Sequence, residues 1–297
     1  MSQAQYILGP MRVPFLTLPP VCVALGAGTA FWTTGHVDGF YVVLALLGAL
    51  AAHISVNALN EYFDFKSGLD FRTQRTPFSG GSGTLPANPD KAPWAARTGW
   101  IAFGLTALIG LYFLWVRGWA LLPLGLLGLF VIAAYTVWLT RVPLLCLVAP
   151  GLGFGVLMVM GTDFVLTGRY SWPAFAASLV PFFLVSNLLL LNQFPDVEAD
   201  RSVGRRHLLI TAGRRSSAVV YSIFLGLTFV SLAAAVYLGL LPRASLLGLV
   251  MLVVAVPTAA GVLKHANDLS KLKPYLGLNV LLNLLTPALV ALGLLVG

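Results

Sequence analysis

The chain has 297 residues, of which 58% are hydrophobic and only 9% charged, and its mean hydropathy is +0.89. Soluble domains carry about a quarter charged residues, so a soluble globular fold is excluded and a membrane protein is indicated. The net charge of +8 does not point to nucleic acid, because the basic residues are interleaved with acids at the ends of apolar stretches, where membrane topology and an anionic ligand account for them.

Apolar stretches of roughly twenty residues recur along the chain, each long enough to cross a bilayer as a helix. Strand-period alternation is absent, which argues against a barrel. An all-α, polytopic protein of about nine transmembrane helices is predicted, with spans at 14–34, 40–60, 92–115, 119–139, 144–166, 172–194, 216–238, 244–263 and 275–296. Pro14, Pro19 and Pro20 interrupt the first. No basic segment with a small-residue cleavage site opens the chain, so no removable signal peptide is expected. Cys22 and Cys146 lie in apolar stretches and read as packing residues rather than a disulfide or metal pair. Residues 1–297 read as a single transmembrane domain.

Lys and Arg concentrate on the cytoplasmic side of bacterial-type membrane proteins. With nine spans, 15 of the 18 basic residues fall on one side, leaving Arg117, Arg169 and Arg243 on the other. The N-terminus is therefore expected in the cytoplasm and the C-terminus on the far side of the cell inner membrane. The two longest loops, near 61–91 and 195–215, both lie on the cytoplasmic side and form candidate caps.

Those loops follow two acidic clusters, which hold six of the ten acidic residues. The first runs Asn60-Glu61-Tyr62-Phe63-Asp64-Phe65-Lys66-Ser67-Gly68-Leu69-Asp70. The second runs Asn192-Gln193-Phe194-Pro195-Asp196-Val197-Glu198-Ala199-Asp200-Arg201. Both open with Asn-x-x-x-Asp, which on a helix puts the two side chains on one face. The openings are 132 residues apart with three full spans between, a hint of an internal repeat of four helices. Packed carboxylates repel one another unless compensated. Oxygen ligands without adjacent His or Cys favour Mg2+ or Mn2+ over zinc, and Mg2+ typically takes one or two carboxylates plus substrate phosphate oxygens. Ordinary solvated helix ends would explain one such cluster as well as a site does, but not two matched clusters on one membrane face.

Between the clusters lies Arg72-Thr73-Gln74-Arg75-Thr76-Pro77-Phe78-Ser79-Gly80-Gly81-Ser82-Gly83. Its glycines permit backbone angles closed to other residues. Either a plain connection or a lid fits the glycines alone; beside Lys66, Arg72 and Arg75 a lid over an anion is the better reading, with Ser82 a candidate substrate contact.

The Asn60–Asp70 segment resembles the first aspartate-rich motif of the UbiA superfamily of intramembrane aromatic prenyltransferases. Lys66-Ser67-Gly68-Leu69-Asp70 followed by Gly80-Gly81-Ser82-Gly83 is similar to the branch that prenylates 1,4-dihydroxy-2-naphthoate in menaquinone synthesis. Asn192–Asp200 with Gly204 resembles the second motif, and Tyr135-Thr136 resembles the family's Tyr-Thr or Tyr-Ser position. The resemblance covers the whole chain. Two departures stand out. Glu61 occupies a position where the family usually has Asp, and Arg205-Arg206-His207-Leu208 follows Gly204 where Lys-x-Thr-Leu is common.

The resemblance implies Mg2+-dependent transfer of a polyprenyl group from an allylic diphosphate to an aromatic acceptor, with Mn2+ as a possible substitute. Glu61, Asp64, Asp70, Asp196 and Asp200 are the implied metal ligands, and Asn60 and Asn192 the residues that orient them. Lys66, Arg72, Arg141 and Arg201 would balance charge on the leaving diphosphate. Tyr135 would stabilise the allylic cation through its ring face, so that Asp64, Asp196, Tyr135 and Lys66 carry the catalysis. With a dihydroxynaphthoate acceptor, the ring carboxylate leaves as CO2; 4-hydroxybenzoate and homogentisate are the alternative acceptors. The implied partners are the two substrates and the lipid bilayer, with no nucleic acid and no obligatory protein partner.

His53, two turns before Asn60 on the same face, is open to two readings, contact with the acceptor or a hydrogen-bonded interior histidine, and the second is the expected one. Asn279 and Asn283 read as helix-to-helix hydrogen bonds, and Asp163 as an interfacial residue. A secondary transporter is the competing class, but transporters place their ionisable groups near the bilayer midplane, whereas here they sit at helix ends. A prenyl-binding scaffold without activity would have no need of both clusters.

Overall fold

The computed structural model describes residues 3–76 and 79–297, and among these the secondary structure is entirely helical. Chain order runs α1 (Gln3–Met11), α2 (Leu18–Thr34), α3 (Gly39–Ser67), α4 (Thr84–Ala87), α5 (Ala92–Arg117), α6 (Leu122–Ala134), α7 (Pro143–Gly151), α8 (Met160–Thr167), α9 (Trp172–Asn192), α10 (Val197–Ser202), α11 (Leu208–Tyr237), α12 (Leu252–His265) and α13 (Leu269–Val296). Eight helical stretches are long and apolar enough to cross a membrane, and Trp119–Ala134 is a shorter ninth. The nine predicted spans each correspond to one of these, and the chain is a multi-pass membrane protein.

Differences from the predicted boundaries have local causes. The Asp38 side chain caps α3 by accepting from the Phe40 and Tyr41 amides, and the helix stops only at Gly68, whose φ of 76° is the left-handed conformation that closes a helix. The first acidic cluster is thus helical through Ser67, about two turns beyond the apolar span, with Gly68 ending the helix before Asp70. Conversely α6 stops at Ala134, because the chain must turn to reach Val142, held extended (φ −118°, ψ 112°) before Pro143. In the second cluster α9 ends at Asn192. A turn across Pro195, closed by the Asp196 amide on the Gln193 carbonyl at 3.2 Å, leads into α10. The expected helical pairing of Asn192 with Asp196 is therefore replaced by that of Asp196 with Asp200, whose amide bonds the Asp196 carbonyl at 2.9 Å. At the start of α11, Gly213 (φ 83°, ψ 168°) breaks the helical path, which accounts for the predicted start at 216.

The centre of the bundle is α9, which packs against α2, α7, α11 and α13 and buries Val180, Leu184, Leu188 and Leu191 in the main core. Facing it, α7 and α8 form one crossing joined by a π-helical stretch, Leu152–Val159. Gly151 and Gly155 let this crossing lie directly on α9: a Cβ would stand 2.1 Å from the Phe182 carbonyl oxygen at Gly151 and 2.6 Å from the Phe182 nitrogen at Gly155. Such small-x-x-x-small contacts are how membrane helices approach closely. A smaller apolar cluster, Phe113, Leu121, Phe164 and Val165, fills the end of the bundle opposite the acidic clusters.

Candidate active site

Four residues on one stripe of α3 face a common cavity: His53, Asn57, Asn60 and Asp64, spaced by four, three and four residues as one helix face requires. The cavity has a volume of about 690 Å³; Asp70, Asn192, Asp196 and Asp200 also line it, as do Arg12, Tyr135, Arg205 and His207. The two acidic clusters therefore meet on one wall of one chamber. The rest of that chamber is mostly apolar, with Ile109 and Leu114 of α5, Leu124 and Ile132 of α6, and Phe154 of the π-helical stretch among its lining.

Arg205 joins the two clusters. Its guanidinium donates to Asp64 and, at 2.8 Å, to Asp200, while His207 Nε2 lies 3.0 Å from the second Asp200 oxygen. Gly204, at φ 82°, turns the chain so that Arg205 points back over α10. A second arginine, Arg12, holds the first cluster from the other side. It donates to Asn60 Oδ1 at 3.1 Å and to Glu61 Oε2 at 3.2 and 3.3 Å. Arg12 is the one non-glycine residue with positive φ (52°) among the described residues, a conformation that L-residues adopt at a cost. Asn60 Nδ2 in turn donates to Thr136 Oγ1 at 3.1 Å, fixing the Tyr135-Thr136 turn beside α3.

Glu61 is fully buried and does not line the cavity. It accepts from the Ser82 amide at 2.9 Å and from the Ser82 hydroxyl, so it anchors the glycine loop in place. A Cβ on Gly81 (φ 69°) would lie 3.1 Å from Asp70 Oδ1 and 3.3 Å from Glu61 Oε2, so the loop backbone presses against both carboxylates. Pro77 and Phe78 of this loop lie outside the described residues.

Asp70, in the short 3-10 turn Leu69–Phe71, keeps one buried oxygen with no hydrogen-bond partner; Asp196 Oδ1 and Asn192 Oδ1 are orphaned in the same way. Burial, with Glu61 and Asp64 nearby, pushes the Asp70 carboxyl up to about 7. Burial and the neighbouring Asp200 push Asp196 up to about 7 as well. Among the described residues no three His, Cys, Asp or Glu side chains stand close enough together to hold one ion; between Asp64 and Asp200 stands the guanidinium of Arg205.

Several residues singled out from the sequence lie elsewhere. Lys66 is exposed, with its ammonium 5.8 Å from the Tyr62 ring centre; two residues after Asp64, it points to another side of α3. Arg72 donates to the Ser202 carbonyl at 3.2 Å and hydroxyl at 3.0 Å, tying the two cap loops together outside the cavity. Arg141 and Arg201 are exposed and away from the cavity lining. Ser82 faces Glu61. Arg12 and Arg205 occupy the places those cations were expected to fill. Asp163, expected at the interface, is instead fully buried, accepting from Thr29 and Ser171 hydroxyls at 2.9 Å each. Asn279 does join helices: it accepts from the Tyr221 hydroxyl at 2.9 Å. His53 differs from expectation: its Nδ1 is buried and unpartnered.

The UbiA prenyltransferase family profile matches residues 18–285. The chain belongs to that family and is a membrane-embedded prenyltransferase. It is 26% identical, over 80% of its length and 76% of the relative's, to the 1,4-dihydroxy-2-naphthoate octaprenyltransferase of Bacillus subtilis (strain 168). Its fold is that of a UbiA homolog from Aeropyrum pernix K1 (TM-score 0.71, 17% identity, 93% of this chain and 96% of that one). It also matches a UbiA homolog from Archaeoglobus fulgidus whose structure holds DMAPP and Mg2+ (TM-score 0.60, 14% identity, 96% and 98% covered).

Proposed function

We propose that this prenyltransferase transfers a polyprenyl group from an allylic diphosphate to 1,4-dihydroxy-2-naphthoate, a step of menaquinone biosynthesis, with Mg2+ (or Mn2+) as cofactor. The observation that carries the reading is the convergence of both acidic clusters, with orphaned oxygens on Asp70, Asp196 and Asn192, at the mouth of an otherwise apolar chamber. The relative named for this acceptor supports the choice of substrate.

The residues fit a hard divalent cation. All donors are oxygens, and the unpartnered buried ones stand in no ion pair, unlike Asp64 and Asp200 on Arg205 and Glu61 on Arg12. Asp70 and Asp196, whose oxygens are unpartnered, would hold the cation, with Asp64 and Asp200 joining only where Arg205 releases them, whereas Glu61 is committed to Ser82 and Arg12. When bound, Mg2+ supplies positive charge to the diphosphate oxygens. Arg12 and Arg205 add theirs where negative charge grows on the leaving group. The allylic carbon–oxygen bond breaks with its electron pair on the diphosphate, and Tyr135 offers its ring face to the resulting cation. The apolar side chains of α5 and α6 accommodate the isoprenoid tail and keep water from the cation. The acceptor ring carbon that bears the carboxylate then forms the new carbon–carbon bond, and the bond to that carboxylate breaks, releasing CO2 and returning its electron pair to the ring.

We read the molecule as lying in the cell inner membrane with the cap loops, 61–91 and 195–215, and the active site on the cytoplasmic side. The whole chain is read as one domain, with a repeat of four helices behind its two clusters. The test is to incubate purified protein with geranylgeranyl diphosphate, Mg2+ and separate aromatic acids: 1,4-dihydroxy-2-naphthoate, 4-hydroxybenzoate and homogentisate. Mass spectrometry should find the prenylated, decarboxylated naphthalene-diol. Product from a different acid would reassign the acceptor, and no product from any would overturn the reading.

A further inference from the structure

The α3 stripe that ends at Asp64 starts at His53, and nothing in the prenyl-diphosphate chemistry uses its inner end. Eleven residues of helix span on the order of 16 Å, so His53 stands far into the chamber from the acidic wall. It is 7% exposed and keeps a buried Nδ1 without a hydrogen-bond partner. An unsatisfied buried polar group is costly in an apolar site, and the chamber around it is mostly apolar. Its ring is not loose: Phe154, from the π-helical stretch, packs edge-on against it with centroids 4.8 Å apart and planes at 84°. Single-turn π insertions recur at functional sites because they re-aim side chains. One turn closer to Asp64, Asn57 also lines the chamber and donates one amide hydrogen to the Met11 carbonyl at 3.2 Å.

Of two substrates, the prenyl diphosphate carries its polar atoms at one end, where the acidic wall and the arginines lie. The polar groups deeper in the chamber match the other substrate. We propose that His53, with Asn57 beside it, is the acceptor subsite, binding a ring hydroxyl of the aromatic substrate. A neutral imidazole accepts from that hydroxyl at one nitrogen and leaves the ring carbon free to face the allylic carbon. Phe154 holds the imidazole in this orientation. The inference rests on the prenyl-transfer reading and names the residues that read its second substrate.

The experiment measures KM for each substrate in wild-type protein, His53→Phe and His53→Asn, each first shown to be folded by its melting transition in detergent. Loss of one hydrogen bond in a desolvated site corresponds to about tenfold in binding. His53→Phe should raise acceptor KM about tenfold, leave prenyl diphosphate KM within about twofold, and be partly rescued in His53→Asn, which retains hydrogen-bonding groups. An acceptor analogue lacking one ring hydroxyl should lose its sensitivity to the substitution. If His53→Phe does not fold, the same ratios are read on His53→Leu, with His53→Asn still the rescue. Parallel changes in both KM values, an unchanged acceptor KM, or equal losses for both analogues would overturn the subsite while leaving prenyl transfer intact. Wild-type protein that prenylates no aromatic acid would remove both.

Discussion

Arg205 sits on both acidic clusters at once. Removing one partner of a buried ion pair leaves the others uncompensated, at a cost of about 3 kcal/mol or more. Arg205→Leu should therefore lower the melting temperature of metal-free protein by several degrees, and Mg2+ should recover more stability in the variant than in wild type; a melting point unchanged in both conditions would contradict the bridge. Asp64→Asn and Asp196→Asn should each cut turnover at least about a hundredfold while the protein still elutes as a folded species. The carboxyls of Asp70 and Asp196, pushed up to about 7 by burial and neighbouring acids, give the pH dependence its sign. Folded, metal-free protein binds more protons than the unfolded chain, so these groups lower its stability as pH rises from about 4 through about 7. A cation must displace the same protons. Apparent Mg2+ affinity, followed by thermal shift at pH 6, 7 and 8, should therefore rise over that interval; a flat profile would exclude both carboxyls as ligands. The acids of the site were legible because their spacing is local. The cations are harder to read: Lys66, Arg72, Arg141 and Arg201 are near in sequence, but each helical residue turns by about 100°. Arg205 follows the second cluster and binds Asp200 five residues away, yet its reach to Asp64 spans 141 positions and that of Arg12 to Glu61 spans 49, contacts that no periodicity reports.

Elements were read more easily than their joints. Hydropathy located every crossing, because a bilayer demands long apolar helices whatever their tertiary contacts. Several ends are set by groups that hydropathy does not weigh: Gly68 closes α3, Pro143 opens α7, and Pro195 follows α9. The tight crossing of Gly151 and Gly155 with α9 shows that packing in membranes rests on absent side chains as much as on present ones. Gly155→Ala puts a methyl 2.6 Å from the Phe182 nitrogen and 2.7 Å from the Ser178 oxygen, and backbone cannot step aside as a side chain can. Overpacking of this kind costs about 1–3 kcal/mol. Gly104→Ala, with nothing within 4 Å, should leave the melting temperature in detergent unchanged or raised, while Gly155→Ala lowers it; equal behaviour of the two would mean that this contact contributes nothing.

At the scale of the molecule, exposed aromatics mark two levels. Trp94, Phe71 and Trp138 lie at the end with the acidic clusters, and Trp115, Trp119, Trp172 and Tyr237 at the other. Trp94 and Trp115 are separated along α5 by about 31 Å of helix rise, the thickness of a hydrocarbon core, and aromatic belts sit at its two faces. With the basic residues on the acidic side, a cysteine introduced at Gln74 should react with an impermeant reagent only from the cytoplasm, and one at Arg169 only from outside; the native thiols, Cys22 and Cys146, are buried. The reverse pattern would invert the topology. Among the crossings, α6 alone contributes no buried residue, yet it forms one wall of the chamber. A wall backed only by lipid can yield outward without exposing any core. Donors with longer isoprenoid tails should then be turned over at rates within about threefold of one another, because a compliant boundary measures length poorly.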